Sequence, residues 1–378
     1  MKPFVSVIVP CRNEAAALSH CLDSVLASDY PVERLEVIVA DGESEDSTRG
    51  LLAYYAALDR RFRWIENPAR ITPVGLNRAI SAAHGEFVLR VDAHSLVSPR
   101  YISLAVEFLE NHPEAWGAGG MMTTVPDGAG MFADAIRTVL SHRFGVGNSQ
   151  FRTLISEQNS CTPIQVDTVF NCCWRRQVFH EIGLFHEQLV RSQDIEFSSR
   201  IAAADGTLWL VPTAQTTYFA KSRFWAYVRH NWSNGIWSIL PAAYLGKLPV
   251  RVRHLIPLVF VSSLPISASV GMAFPWFRWM GVAIVGSYVL ANLGISFVEA
   301  VSRRSPKLLV TLPFAFAGLH VAYGAGSIWG CYRFLVERSN RSDTQAPRPE
   351  RPQARAATAS GGPTGTDQAE PVFTPKAN

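Results

Sequence analysis

A chain of 378 residues has room for two or three domains, or for one large domain with appendages, and it can bury a sizeable core. Its hydrophobic content of 48% with only 17% charge leans apolar, and the excess lies after residue 254, which suggests a soluble half followed by a membrane half. The net charge of +4 comes without basic-aromatic interleaving or any nucleic-acid motif, so it fits a surface beside anionic lipid and argues against a nucleic-acid partner.

The first run, Phe4 to Val9, is β-branched and closed by Pro10. It is too short for a signal peptide and is followed at once by Arg12 and Glu14, so it reads as a buried strand of a domain that starts inside the cell. Ala15 to Leu26 has helical spacing, Leu35 to Ala40 is a second strand, and the turn after it, Asp41 to Thr48, is unusually acidic. A helix over Leu51 to Leu58 and a short strand over Arg63 to Glu66 follow. Thr72-Pro73 reads as an N-cap with proline at the first position of a helix reaching Ala83. The next strand, Glu86 to Val91, ends in Asp92-Ala-His94; residues two apart on a strand face the same way, which makes an acid and an imidazole available to one ion. Taken alone, the triplet is equally a strand followed by a polar turn.

Further on, Ser98-Pro99 caps a helix through Asn111, Trp116 to Thr123 is a strand, and Met131 to Phe144 is a helix. Gly145 to Thr162 is a polar, glycine-containing loop expected near the site, and Val166 to Trp174 is a strand. A helix opens at Ser192 with Asp194 and Glu196 in its first turn, where the helix dipole alone would also favour acids, and Leu208 to Val211 is the last strand. Alternation of strands with helices predicts an α/β fold with a mostly parallel sheet. From Ser222 to Leu245 aromatics and cations alternate, as in interfacial helices. Three apolar segments, Leu255 to Phe274, Trp279 to Val298 and Leu308 to Gly330, approach the roughly 20 residues that span a bilayer. Lys247, Arg251, Arg253 and the Arg303 to Lys307 cluster lie on the cytoplasmic side if the first domain does, whereas Arg333, Arg338 and Arg341 then fall on the other. His320, within the third segment, is expected to pack between helices. The composition predicts domains at 1–221, 222–254 (interfacial), 255–335 (transmembrane) and a disordered tail at 340–378. The six cysteines, Cys11, Cys21, Cys161, Cys172, Cys173 and Cys331, form no Cys-x-x-Cys pair and are expected to be reduced.

Several stretches, in this order, resemble the family 2 glycosyltransferases of the GT-A fold. They are Val7 to Glu14, Val37 to Gly42 with Ser44, Asp46 and Ser47, Asn77 with Gly85, Arg90 to His94, and Gly183-Leu-Phe with Arg191 to Glu196. More narrowly the chain resembles the bacterial membrane-associated enzymes of the succinoglycan-biosynthesis type, which extend lipid-linked sugars in exopolysaccharide and cell-surface glycan synthesis.

The resemblance implies a GT-A, Rossmann-like catalytic domain, then interfacial helices and about three transmembrane helices. It implies an inverting, metal-dependent hexosyltransferase that moves a sugar from a nucleotide-sugar, usually a UDP-sugar, to a lipid-linked saccharide. Pro10, Arg12, Asn13, Glu14, Asp41, Asp46, Asn77, Arg90 and Asp92 would bind the donor. Asp92 would hold Mg²⁺ or Mn²⁺ with His94, which stands where many relatives have a second aspartate and is a softer ligand that suits Mn²⁺. Asp194 would be the base on the acceptor hydroxyl, with Gln193, Glu196, Arg229 and Trp232 at the acceptor and membrane interface. The implied location is a multi-pass protein of the inner cell membrane with a cytoplasmic catalytic domain, with partner enzymes of the same glycan pathway. A polyprenyl-phosphate sugar synthase and a non-catalytic, membrane-anchored nucleotide-sugar-binding protein are the alternatives. A processive synthase is disfavoured, because the Gln-x-x-Arg-Trp signature is absent and three spans are few for a polymer channel.

Overall fold

A computed structural model describes residues 1–153 and 162–344, so the expectation of a disordered tail from 345 onward, and the middle of the expected loop over 145–162, lie outside the described residues. The chain opens with three strand–helix units: β1 (Val5–Cys11) and α1 (Leu18–Leu26), β2 (Leu35–Asp41) and α2 (Thr48–Leu58), β3 (Phe62–Glu66) and α3 (Thr72–Ala82). Strand β4 (Phe87–Arg90) pairs parallel to β1, and β1, β2 and β3 are parallel to one another. The parallel half is buried on both faces: Val5, Val7 and Val9 point into one apolar layer, and Ile8 into the other. This is why these strands read as continuous β-branched runs rather than as an alternation.

The remaining elements of this part are β5 (Ser95–Val97), α4 (Tyr101–Asn111), β6 (Ala115–Pro126), α5 (Ala133–Ser141), α6 (Arg143–Val146), α7 (Gln150–Thr153), β7 (Ile164–Val166), β8 (Cys173–Arg175), α8 (Gln177–Glu181), α9 (Gln193–Ala203) and β9 (Thr207–Ala220). They extend the sheet to the order β3-β2-β1-β4-β8-β6-β9-β5, with β7 on β9, so it is mixed but largely parallel on the side that carries β1.

Several expectations differ in detail. The N-cap of α4 is Arg100 rather than Ser98-Pro99, and the expected loop from Gly145 carries α7. The strand expected over Val166 to Trp174 is two strands, because β7 pairs with β9 while β8 lies between β4 and β6. Thr72 is inside α3 rather than its cap, which is Ile71. The helix expected over Met131 to Phe144 breaks at His142, whose extended backbone separates α5 from α6. Strand β4 also ends at Arg90, so Asp92 to Ser95 is a tight turn closed by the Ser95 amide on the Asp92 carbonyl (2.9 Å), and the face shared by Asp92 and His94 comes from that turn rather than from strand alternation.

The helical part comprises α10 (Phe224–Ile239), α11 (Pro241–Leu245), α12 (Ile256–Ala273), α13 (Trp276–Ser302) and α14 (Lys307–Thr344). Helix α14 runs past the expected start of the tail at 340. The last three are long and apolar enough to cross a membrane. On α13 Val282, Val285, Val289, Leu293 and Phe297 are exposed, a face suited to lipid. Polar groups inside the spans are paired: Asn292 donates to the Pro313 carbonyl (3.0 Å), while His320 donates Nε2–H to the Phe144 carbonyl (2.9 Å) and accepts from the Tyr288 hydroxyl (3.0 Å). His320 thus packs between helices and also fastens α6 to the spans.

Met1–Arg338 is one compact unit. A third apolar cluster joins its halves: Ile136 and Val139 of α5 and Tyr227 of α10 pack on Leu312, Phe316 and Leu319 of α14. Helices α10 and α14 touch backbone to backbone through glycines. A Cβ on Gly235 would collide with the Tyr323 carbonyl, and one on Gly326 with the Trp232 carbonyl. Cys11, Cys21, Cys172, Cys173 and Cys331 are free thiols, as expected, and Cys161 lies outside the described residues.

Candidate active site

The carboxyl ends of β1, β2 and β4 open on a cavity of about 950 Å³ that continues between the sheet and α10 to α14. This is where ligands sit in open α/β sheets. Backbone strain collects around it. Of the seven non-glycine residues with positive φ among the described residues, Asn13, Glu43, Arg70, Asn171 and Ser192 stand at turns around this opening.

Strands β1 and β2 carry the first group of side chains. Pro10, Arg12 and Glu14 line the cavity with Gly42, Asn67 and Arg70. Asn13 turns back to brace the second loop, accepting the Glu45 amide (2.8 Å) while its own amide donates to Ser44 Oγ (2.9 Å). Asp41 is completely buried, accepting the Ser44 hydroxyl (2.5 Å) and Arg49 Nε (2.9 Å), and does not line the cavity. Asp46 is similarly occupied with the Ala15 and Thr48 amides. These four residues knit two loops into one rigid wall.

The turn after β4 supplies the second group. Arg90 Nε donates to Asp92 Oδ1 (2.8 Å), and the Asp92 amide donates to Asn171 Oδ1 (3.2 Å). Burial would raise the Asp92 carboxyl, but Arg90, and then His94, outweigh it and hold the group below its usual range. His94 shares a hydrogen bond between Nδ1 and Glu14 Oε1 (3.3 Å) and sits edge-on to Tyr218. Burial would lower the His94 pKa, yet the Glu14 contact and the Asp92 charge raise it. Asn171 was not singled out in the sequence and holds the turn together: it is 3% exposed, and its Nδ2 donates to Ser95 Oγ (3.1 Å) and Thr216 Oγ1 (3.0 Å).

Asp92 Oδ2 and His94 Nε2 have no hydrogen-bond partner among the described residues and belong to side chains that line the cavity. Among the described residues no three His, Cys, Asp or Glu side chains form a ready-made cage. Two protein donors beside an open cleft fit a divalent ion that takes its other ligands from substrate phosphates.

The third group comes from the start of α9. Ser192 adopts a left-handed conformation (φ 61°) and donates its hydroxyl to the Trp237 carbonyl of α10 (2.8 Å), while Arg191 Nη1 donates to Asn234 Oδ1 (3.0 Å). This places Asp194 in the cavity, exposed and with no hydrogen bond or ion pair among the described residues. Gln193 also lines the cavity, and its Oε1 is buried without a partner among those residues. Glu196, by contrast, is buried in a two-point pair with Arg200 (2.7 and 2.9 Å), and Arg200 also donates to the carbonyls of Ile182 and Leu184. Asn77 is equally inward, bonded to Phe185 and Glu187. Arg229 and Trp232 are on the exposed face of α10, away from the cavity.

Residues 6–183 match the family model described as Glycosyl transferase family 2. The succinoglycan biosynthesis protein ExoA of Rhizobium meliloti (strain 1021) is 25% identical over 327 residues, 85% of this chain and 92% of the relative. A dolichyl N-acetyl-alpha-D-glucosaminyl phosphate 3-beta-D-2,3-diacetamido-2,3-dideoxy-beta-D-glucuronosyltransferase of Methanococcus voltae is 21% identical over 329 residues, 85% of this chain and 95% of the relative. Among solved structures, mannosyltransferase PcManGT from Pyrobaculum calidifontis, in complex with GDP-Man and Mn²⁺, superposes with a TM-score of 0.53 at 19% identity, over 87% of this chain and 88% of that one, a likeness of fold.

Proposed function

Because the chain carries a family 2 glycosyltransferase domain, we propose that it is an inverting, metal-dependent transferase of the membrane, moving a sugar from a nucleotide-sugar, with UDP the expected nucleotide, to a lipid-linked saccharide. One observation carries this reading: the Asp92–His94 pair and the unpaired Asp194 face a common cavity that runs on to the membrane helices.

The Pro10 to Glu14 wall, Asn67 and Arg70 bind the nucleoside, and Arg90 orients Asp92 toward the diphosphate. Asp92 and His94 would hold a divalent ion, which would supply charge neutralisation for the departing diphosphate. Asp194 accepts the proton of the acceptor hydroxyl, whose oxygen attacks the anomeric carbon on the face opposite the diphosphate, inverting its configuration. One free carboxylate is what this displacement needs, and a flanking pair would mark a hydrolase. The test is to incubate the purified membrane protein with a panel of nucleotide-sugars and lipid-linked acceptors, with Mn²⁺, with Mg²⁺ and with a chelator, and to determine the anomeric configuration of the product. Asp92→Ala should lose the metal-dependent part of nucleotide affinity. Retention of configuration, or equal turnover in chelator, would overturn the mechanism.

A further inference from the structure

The cavity also has a cationic lining. Arg152 of α7, Arg191 and His230 of α10 line it, and Arg152 lies against the Tyr218 that also meets His94. None of the three forms an ion pair with a carboxylate among the described residues, and Arg152 Nη1 is buried without any hydrogen-bond partner there. The Arg152 guanidinium instead lies over the ring of Tyr218 (5.7 Å to the centroid), a contact that fixes its direction without neutralising it. Arg191 is held by Asn234, which leaves its charge uncompensated. Burial lowers the pKa of both arginines, and it lowers that of His230 to about 4, so His230 is a neutral hydrogen-bonding group at physiological pH. Two partly buried guanidiniums without an ion-paired carboxylate among the described residues suit an anion that joins them.

The lining is also apolar in part: Pro257 and Phe260 of α12 and Leu319 of α14 continue the wall into the membrane-spanning region. The cavity, about 950 Å³, therefore joins a polar wall at β1 and β2, the Asp92–His94 turn, Asp194, a cationic group against Tyr218 and α10, and side chains of α12 and α14.

Resting on the function proposed above, we infer that Arg152 and Arg191, with His230, bind the phosphate or diphosphate that joins the acceptor's sugar to its lipid, while the chain enters between α12 and α14. The attachment of the cationic group gives this assignment: Arg191 is bonded to Asn234 of α10, His230 stands on the same helix, and α10 packs on α14. A cationic group tied to helices that border the membrane-spanning region suits an anion that carries a hydrocarbon tail. Planar guanidiniums suit it, because each can offer two parallel N–H groups to phosphate oxygens.

The test uses the full-length protein in detergent, with farnesyl diphosphate, farnesol and inorganic pyrophosphate as probes, and UDP and GDP with Mn²⁺ in a parallel titration. Wild type should bind farnesyl diphosphate at least tenfold more tightly than farnesol or pyrophosphate. Arg152→Met and Arg191→Met should each remove most of that preference while nucleotide affinity stays within about twofold. Arg152→Lys should restore part of it, which separates loss of charge from loss of fold. Nucleotide affinity that falls with lipid preference intact would place the two arginines on the donor and overturn the inference, as would pyrophosphate binding as tightly as farnesyl diphosphate. The lipid preference is read without turnover. If it behaves as expected while no lipid-linked saccharide is ever extended, the anion site stands and the transfer reading falls.

Discussion

Asp92 and Asp194 are both aspartates on the same cavity, and their surroundings give them different tasks. Asp92 is engaged by Arg90, which holds its carboxyl below the usual range and suits a ligand for a cation, whereas Asp194 makes no hydrogen bond or ion pair among the described residues and is the proposed base. Asp194→Asn keeps the shape and removes the basic oxygen. It should lower turnover by about 10²- to 10⁴-fold with nucleotide affinity unchanged, checked by parallel initial-rate and binding measurements. A variant with normal turnover would remove Asp194 from the mechanism. At this scale the sequence points to residues beside the ends of elements, such as Asp92 just after β4 and Asp194 in the first turn of α9, whose roles are those proposed above. It could not reveal Asn171 or Arg152, whose importance arises from contacts far along the chain: Asn171 meets Asp92 and Thr216, and Arg152 meets Tyr218. Glu196 illustrates the converse, since an acid beside a motif looks available until Arg200 is found on it.

Among the elements, the parallel strands were legible because both their faces are buried and their composition is nearly all β-branched. Strand β5 was not, being three residues long and defined only by its pairing with β9. Glu36 of β2 shows how such elements are tied. It accepts Ser6 Oγ of β1 (2.6 Å), Arg63 Nη2 of β3 (3.0 Å) and the His84 amide after α3 (2.7 Å). Burial opposes its ionisation, but those three donors outweigh it and hold the carboxyl below 4.5. A carboxyl depressed on folding stabilises the fold above its unfolded pKa, and that contribution is lost as pH falls through the lower folded value. Glu36→Gln should therefore melt earlier at neutral pH and show a flatter loss of melting temperature on acidification below about pH 4.5, seen in unfolding curves across the acid range. Helix pairing makes a second prediction. Gly235→Val would push α10 off α14 and should cost upwards of about 1–3 kcal/mol, with transfer lost before nucleotide binding, measured by thermal unfolding in detergent beside UDP titration. An unchanged melting point would refute the seam.

In the whole molecule the last strand ends at Ala220 and α10 begins at Phe224, yet the two parts share a core. Ile136 and Val139 of α5 are buried in a cluster that includes Leu312, Phe316 and Leu319 of α14, a helix long and apolar enough to cross a membrane. A fragment of residues 1–221 would expose both, each worth about 1.5–3 kcal/mol of burial, and should aggregate or melt well below the full chain in light-scattering and calorimetric comparison. A soluble fragment of equal melting temperature would contradict this. The arrangement suits the transferase proposed above, in which one substrate would come from water and the other from lipid.

The glycine contacts between α10 and α14 have a metric consequence. Helix α10 holds Ser192 and Arg191, hence the start of α9, while α14 is long and apolar enough to cross a membrane, so the glycine seam sets how Asp194 stands relative to that helix. Under the proposed function, the distance between the base and the lipid phase would be written in the contact of two helices, remote from any atom that reacts.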